Sequence, residues 1–351
     1  MHRAQLATAA HPTSPPPRRR LPTRRTLPPL SSLTLAVTLA LAGCGSGDPA
    51  GPADDRPLVV CTTGMIADLV REIGGDDLRV VQLVRAGVDP HLYTPTRDDV
   101  QRLAAADLIL YNGLLLEGRM GDALQRLAAG GTRVIAVAET VPEHQRLSEP
   151  GSGGQPDPHV WMDVALWGHV AGRIGAELAE LHPPAADRFA ANTETLVTRL
   201  DELHQSIQQL VDTIPETRRV LVTAHDAFGY FGRAYGVEVR GIQGFSTESE
   251  AGLRDINELV DYLIERDIGA IFVESTVADR SVRALIEGAA ARGHEVVIGG
   301  ELFSDSTGPA GTWEGTYIGM MDHNASTLVR ALGGTAPERG VYDRLAAQPA
   351  P

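Results

Sequence analysis

ADRFAANTETLVTRLDELHQSIQQLVD, residues 186–212, is the stretch that decides the fold. Phe189, Leu196, Val197, Leu200, Leu203, Ile207, Leu210 and Val211 recur at helical spacing, with no Gly or Pro among them. The pattern predicts one amphipathic helix of about 27 residues, about 40 Å long. Pro183-Pro184 and Pro215 mark its ends. On both sides, short β-branched runs alternate with helical stretches, the signature of an α/β fold with parallel sheets. The predicted strands of the first half are Leu58–Thr62, Arg79–Val84, Leu108–Tyr111 and Arg133–Val137. Those of the second are Arg219–Thr223, Val237–Gly241, Ala270–Glu274 and Glu295–Ile298. A helix this long runs across both lobes instead of hinging between them.

Upstream of the first lobe the chain has a different character. Residues 1–43 hold six Arg and no acid, with Arg18-Arg19-Arg20 and Arg24-Arg25 ahead of an apolar run from Leu30 to Leu41. That run has the length of a signal-peptide core and is too short to span a bilayer. It ends in Leu41-Ala42-Gly43-Cys44, which resembles a lipobox and implies cleavage before Cys44 and a diacylglyceryl thioether on its sulfur. Thr-Leu-Pro-Pro after Arg24-Arg25 fits twin-arginine export poorly and favours Sec export. Residues 44–56 then read as a lipidated flexible tether, reaching on the order of 20 Å from the anchor.

Composition narrows the class of function. The full chain of 351 residues carries a net charge of −14; without the leader it has 25 Arg against 45 acids, or −20, and no Lys. An acidic surface argues against nucleic acid and against a polybasic grip on lipid. With Cys44 lipidated, Cys61 has no disulfide partner, and its place in Leu58-Val59-Val60-Cys61-Thr62 makes it a core residue.

The candidate chemistry lies in a repeated turn. Asp89-Pro90-His91-Leu92-Tyr93 returns 68 residues later as Asp157-Pro158-His159-Val160-Trp161. Proline fixes its own φ and drives the preceding Asp out of the helical region, so each His sits on a preset turn. In open parallel sheets ligands bind beyond the carboxyl ends of the strands. His91 follows the second predicted strand, His225 follows the fifth, and Asp305 follows the eighth; His159 precedes the long helix. Three imidazoles and a carboxylate form a mixed N/O set suited to zinc, manganese or ferrous iron. His144, His169, His182, His204, His294 and His323 lie in a polar loop, on helices or at element ends and read as solvated or core residues. Glu248, Glu250 and Glu274 would be candidate bases in an enzyme, but none stands in an HExxH frame.

Taken together, the lipobox, both Asp-Pro-His turns, Thr223–Phe231 (TAHDAFGYF), Phe272–Thr276 (FVEST) and residues 299–324 (GGELFSDS…GTWEGTYIGMMDHN) resemble the zinc/manganese solute-binding lipoproteins of ABC transporters, the TroA-like and ZnuA-like receptors. The resemblance spans Leu58 to Leu332. It implies two Rossmann-like lobes with parallel sheets, joined by one long rigid backbone helix, with the metal in the interlobe cleft. Carried over by motif, the metal ligands are His91, His159, His225 and Asp305, with no catalytic residue. Manganese-dedicated relatives often have Glu where His225 stands, and zinc-dedicated ones a long His/Asp-rich loop where Glu143–Gln155 is short; the cargo is therefore read as Zn2+ or Mn2+. The expected partners are an ABC permease with its ATPase, and the membrane through Cys44, with no nucleic acid. The receptor is expected to be a monomer outside the cytoplasm, anchored to the bacterial cell membrane. The expected organisation is a signal peptide 1–43, tether 44–56, N-terminal lobe 57–185, connecting helix 186–213, C-terminal lobe 214–335 and an unstructured tail 336–351. Two other classes compete: a secreted zinc hydrolase, whose metal would keep an open water position, and an adhesin or structural lipoprotein whose His/Asp set is incidental.

Overall fold

A computed structural model describes residues 54–148 and 154–346. The leader, Cys44, most of the tether and residues 149–153 and 347–351 lie outside the described residues. No helix among the described residues is long and apolar enough to cross a membrane.

The first half forms a four-stranded parallel sheet from β1 (Leu58–Cys61), β2 (Arg79–Gln82), β3 (Leu108–Tyr111) and β4 (Arg133–Ala136), ordered β2-β1-β3-β4. Helices α1 (Gly64–Gly74), α2 (Arg97–Ala104) and α3 (Gly121–Ala129) connect successive strands. Both faces of such a sheet are covered, and side chains alternate between them. Val59 and Cys61 accordingly join the main core with Leu108 and Leu110, while Val60 and Ile109 join a smaller one on the opposite face. After α4 (Val164–Leu181) and α5 (Ala186–Asp212), the second half pairs β5 (Val220–His225) with β6 (Glu238–Gln243), and β7 (Ala270–Glu274) with β8 (Val297–Leu302), both parallel. β5 and β7 run side by side, and α6 (Gly229–Tyr235), α7 (Leu253–Glu265), α8 (Arg280–Ala291) and α9 (Tyr317–Ala331) complete the chain.

Strand ends differ from expectation in several places, by two residues at the ends of β2 (Arg79–Gln82) and β6 (Glu238–Gln243), and two differences bear on the site. β5 runs two residues further, so His225 is its last residue and pairs with Gln243 instead of following the strand. β8 covers Val297–Leu302, not Glu295–Ile298. The apolar run Val296-Val297-Ile298 drew the prediction early. The polar, glycine-containing half that follows pairs with β7 through an irregularity at Ile271/Phe272, and Gly300 adopts φ 152, which L side chains rarely take.

Helix α5 spans 27 residues without a break, as its periodicity predicts. Phe189, Leu196, Leu200, Leu203, Ile207 and Val211 are buried, with Val197 and Leu210 packed at the margin. It lies against α1 and α4 of the first half and α6 and α9 of the second. The approach to α4 is close: a Cβ on Gly175 would stand 2.2 Å from Thr193 Oγ1. One core therefore runs through both halves, from Val59 and Leu69 past Leu200 to Phe231 and Leu328.

Residues 336–346 belong to this body as well, against the expectation of an unstructured tail. Val341 N donates to Asp322 at 2.8 Å, Tyr342 packs edge-on to Trp313, and Leu345 is buried. The polar, Gly/Pro-containing composition suggested disorder; the deciding partner, the buried carboxylate of Asp322, lies 19 residues away in sequence from Val341.

A second tie between the halves is polar. Asp68 on α1 accepts the Tyr317 N–H at the start of α9 at 2.8 Å, where a helix N-terminus favours a negative group. Burial nonetheless pushes the Asp68 carboxyl up to about 6 from an ordinary 3.8. A carboxyl that holds its proton more tightly folded than unfolded costs stability as pH rises from its unfolded to its folded pKa. Asp68→Asn keeps an acceptor and removes the charge. It should raise stability at pH 7 by on the order of 2–3 kcal/mol and flatten the dependence between about pH 4 and 6; denaturant melts with an unaltered pH slope would refute this. Leu200→Ala, at the centre of α5, should cost about 2–5 kcal/mol. Because the core is shared, fluorescence and circular dichroism should report one coincident unfolding transition, and two separated transitions would contradict a common core.

A candidate metal centre

Each Asp-Pro-His turn is built the same way. Asp89 Oδ1 accepts the His91 N–H at 2.8 Å, and Asp157 Oδ1 accepts the His159 N–H at 2.9 Å. A side-chain oxygen bonding its own backbone two residues on is an Asx turn. The Asp thus does more than yield to the proline ring: it closes the turn that presents the His. The first turn is steadied by the second half, since Thr247 Oγ1 donates to Asp89 Oδ2 at 2.6 Å. The second is steadied by the first sheet, since Asn112 Nδ2 donates to Pro158 O at 2.9 Å.

The structure brings all four predicted residues together. His91, His159, His225 and Asp305 each present one donor atom, and these atoms lie within 4.8 Å of one another, in buried positions. His91 Nε2 and His159 Nε2 are 3.4 Å apart. Asp305 Oδ1 lies 3.2 Å from His159 Nε2, and Oδ2 lies 3.2 Å from His225 Nε2 and 3.9 Å from His91 Nε2. Two donors on a tetrahedral ion, each at about 2.0–2.1 Å, would stand about 3.3–3.4 Å apart. Among the described residues, neither Asp305 oxygen nor His225 Nε2 has a hydrogen-bond partner. Buried polar atoms normally have one, so three inward-facing atoms await an electrophile.

The outer nitrogens explain why the inner ones point inward. His159 Nδ1 meets Asp157 Oδ1 at 2.7 Å, and His225 Nδ1 meets Glu274 Oε2 at 2.5 Å. A carboxylate facing Nδ1 holds a proton there, so whenever the ring is neutral the lone pair is the one on Nε2. Glu274 Oε1 also accepts the His225 N–H at 2.8 Å, joining the ends of β5 and β7. The sequence offered Glu274 as a candidate base; here it orients an imidazole. The pairing could not be read from local spacing, because the two residues are 49 apart. Asp157 was visible inside its motif, but not its second bond to the ring.

Charge within the cluster is self-balancing. Burial would depress the His159 imidazolium, yet Asp157 and Asp305 outweigh it and push its pKa up to about 9. His225 is raised well above its ordinary value because Glu274 and Asp305 overcome the same burial. Burial opposes ionisation of Asp305, but His225 and His159 hold it well below the usual carboxylate range. For His91, burial outweighs the more distant Asp305 carboxylate, and with the two neighbouring imidazoles it takes the ring down to about 3. His91 also borders a cavity of about 200 Å³ lined by Leu114, Leu115, Pro156, Phe245 and Glu248. At 4% exposure it is the least enclosed of the four.

Comparison with known proteins bears on most of the chain. Residues 59–331 match the family model described as zinc-uptake complex component A, periplasmic. The manganese-binding lipoprotein MntA of Bacillus subtilis is 45% identical over 303 residues, covering 86% of this chain and 98% of that protein. The zinc-binding protein TroA of Treponema pallidum is 50% identical over 288 residues, covering 82% of this chain and 92% of that protein. A solved structure of the periplasmic zinc-binding protein TroA from Treponema pallidum superposes with a TM-score of 0.77 at 49% identity, covering 79% of this chain and 99% of that one. The names of these relatives lend no support to a hydrolase or an adhesin. With the match running from β1 to the end of α9 and the relatives covered almost end to end, the chain belongs to the family of the periplasmic zinc-uptake complex component A.

Proposed function

We propose that this protein is an extracytoplasmic receptor that captures one divalent ion, zinc or manganese, and hands it to an ABC permease driven by its ATPase. The ligands are Nε2 of His91, His159 and His225 and the carboxylate of Asp305. The observation that carries the reading is the convergence of these four buried groups around atoms left without hydrogen-bond partners. Four side chains with up to five donor atoms close the shell around an ion. A catalytic zinc instead keeps three protein ligands and an open position for water, so the donor set favours a carrier over a hydrolase.

Both cargoes have a chemical and a comparative basis. A relative named for manganese and one named for zinc are 45% and 50% identical to this chain. At a given N/O site zinc binds more tightly than manganese regardless of the physiological cargo. Export of the chain and attachment of lipid at Cys44 would keep the receptor, as a monomer, beside the outer face of the cell membrane. A relative's designation as a lipoprotein and the lipobox around Cys44 support that placement.

Calorimetric titration of the mature chain should give about one ion per chain, with Kd for zinc at or below about 1 nM, or about −12 kcal/mol. His91→Ala and Asp305→Ala should each weaken binding by orders of magnitude, although the residues come from opposite halves. Retention of one ion at wild-type affinity in either variant would remove the shared-site reading. At free metal about 1,000 times Kd the fold should gain about 4 kcal/mol.

Acid should work against capture. A proton on Nε2 occupies the lone pair that the ion needs, and binding releases it. The carboxylates that raise His159 and His225 favour their protonated forms in the ion-free protein. Apparent affinity should therefore fall steadily from about pH 8 to 5, with proton release visible as a buffer-dependent heat. An affinity constant across that range would mean that imidazoles are not the ligands.

A further inference from the structure

Asp305 supplies the negative charge of the cluster, yet among the described residues neither of its oxygens accepts a hydrogen bond. Its nearest polar neighbours are the His159 and His225 rings, each at 3.2 Å, and once an ion takes their lone pairs no other side chain fixes its direction. Its place depends on the backbone at either side, and that backbone is gripped from the first half of the chain. Just before it, Ser304 O accepts the Trp161 Nε1–H at 2.9 Å. Just after it, Ser306 Oγ accepts the Gly87 N–H at 3.0 Å. Trp161 stands two residues beyond His159, and Gly87 four residues before His91. The segments that carry two imidazoles thus also bracket the carboxylate.

The bracket is anchored on the far side too. Trp161 is fully buried, packs edge-on against the His159 ring at 5.2 Å between centroids, and accepts at its backbone O from Tyr317 Oη at 2.6 Å. Ser304 and Ser306 are both buried. Between these grips the carboxylate lies broadside, with one oxygen 3.2 Å from His159 Nε2 and the other 3.2 Å from His225 Nε2.

We propose that Trp161 and Ser306 are positioning residues that hold the Asp305 carboxylate broadside, and so set the preference of the site between ions of different coordination number. The inference rests on the metal-binding reading above. A broadside carboxylate offers two oxygens and brings the donors to five; a turned one offers a single oxygen and leaves four. Zinc is satisfied by four donors in a tetrahedron, whereas manganese favours higher coordination with more oxygen. Loosening either grip lets the carboxylate turn, and manganese loses more than zinc. A merely structural role predicts otherwise: the indole N–H and the Gly87 N–H would simply need any acceptor, and both metals would weaken together with the fold.

The test uses the full mature chain with Ser306→Ala, Ser306→Thr and Trp161→Phe, titrated with zinc and with manganese by chelator competition. Loss of a group that orients a ligand typically weakens metal binding about tenfold or more, so Ser306→Ala and Trp161→Phe should each lower manganese affinity by about that factor while zinc changes less than about threefold. Ser306→Thr, which keeps the hydroxyl, should restore manganese binding. In the ion-free protein, the Gly87 amide should exchange faster in Ser306→Ala and not in Ser306→Thr. Equal loss of both metals, or no loss of manganese, overturns the proposal. If Trp161→Phe fails to fold, Ser306→Ala decides alone. Asp305→Ala separates the two levels: if it abolishes binding while Ser306→Ala leaves the metal ratio unchanged, the bracket is wrong and the metal site stands. If Asp305→Ala binds as wild type, the metal reading itself fails.

Discussion

A buried carboxylate whose only close polar neighbours are imidazoles is the constraint on which the rest of this molecule depends. An isolated charge in the protein interior is costly unless it is paired, and Asp305 is fully enclosed. Its partners are imidazoles drawn from three separate places in the chain, each at a different strand end or turn. To bring them within reach, the first sheet, the second half and the turn before α4 must all be held in register. The shared core along α5 does that. Fold and site are therefore one problem: the helix that joins the halves fixes the distance across which the donors face each other.

The carboxylates behind the ligands give the cluster its sign. Asp157 and Glu274 do not face the centre, but each holds a ring proton on the outer nitrogen and directs a lone pair inward. Without an ion, the same carboxylates make protonated imidazoles favourable, and these neutralise Asp305. At the proposed site, proton and metal would compete for one set of lone pairs, so the cluster would stay charge-compensated in either state.

Much of this was legible in the residues, and what was not has identifiable causes. The helix 186–212 could be read because its apolar period runs for more than seven turns, long enough to outweigh any local ambiguity. The Asp-Pro-His turns could be read because a turn is a local object whose geometry the motif itself contains. β8 was misplaced because Gly299-Gly300-Glu301 has little strand propensity and becomes strand only through its neighbour β7. The second bonds of Asp157 and Glu274, the Trp161 and Gly87 grips and the packing of residues 336–346 were hidden for one reason: each is settled in three dimensions by a partner that composition and spacing do not identify. Local rules found the four residues that converge; tertiary contacts found what aims them.

The order of the donors along the chain has a consequence for biogenesis. His91 and His159 are made well before Asp305, and the core that positions Asp305 also needs α9. A ribosome-bound or half-exported polypeptide can present two imidazoles and no completed shell. At the proposed site, metal-binding energy therefore becomes available only once β8 and α9 have been made, and a chain truncated before β8 has no means of assembling the cluster. Loading of the proposed site is in this way tied to completion of the second half by sequence order alone.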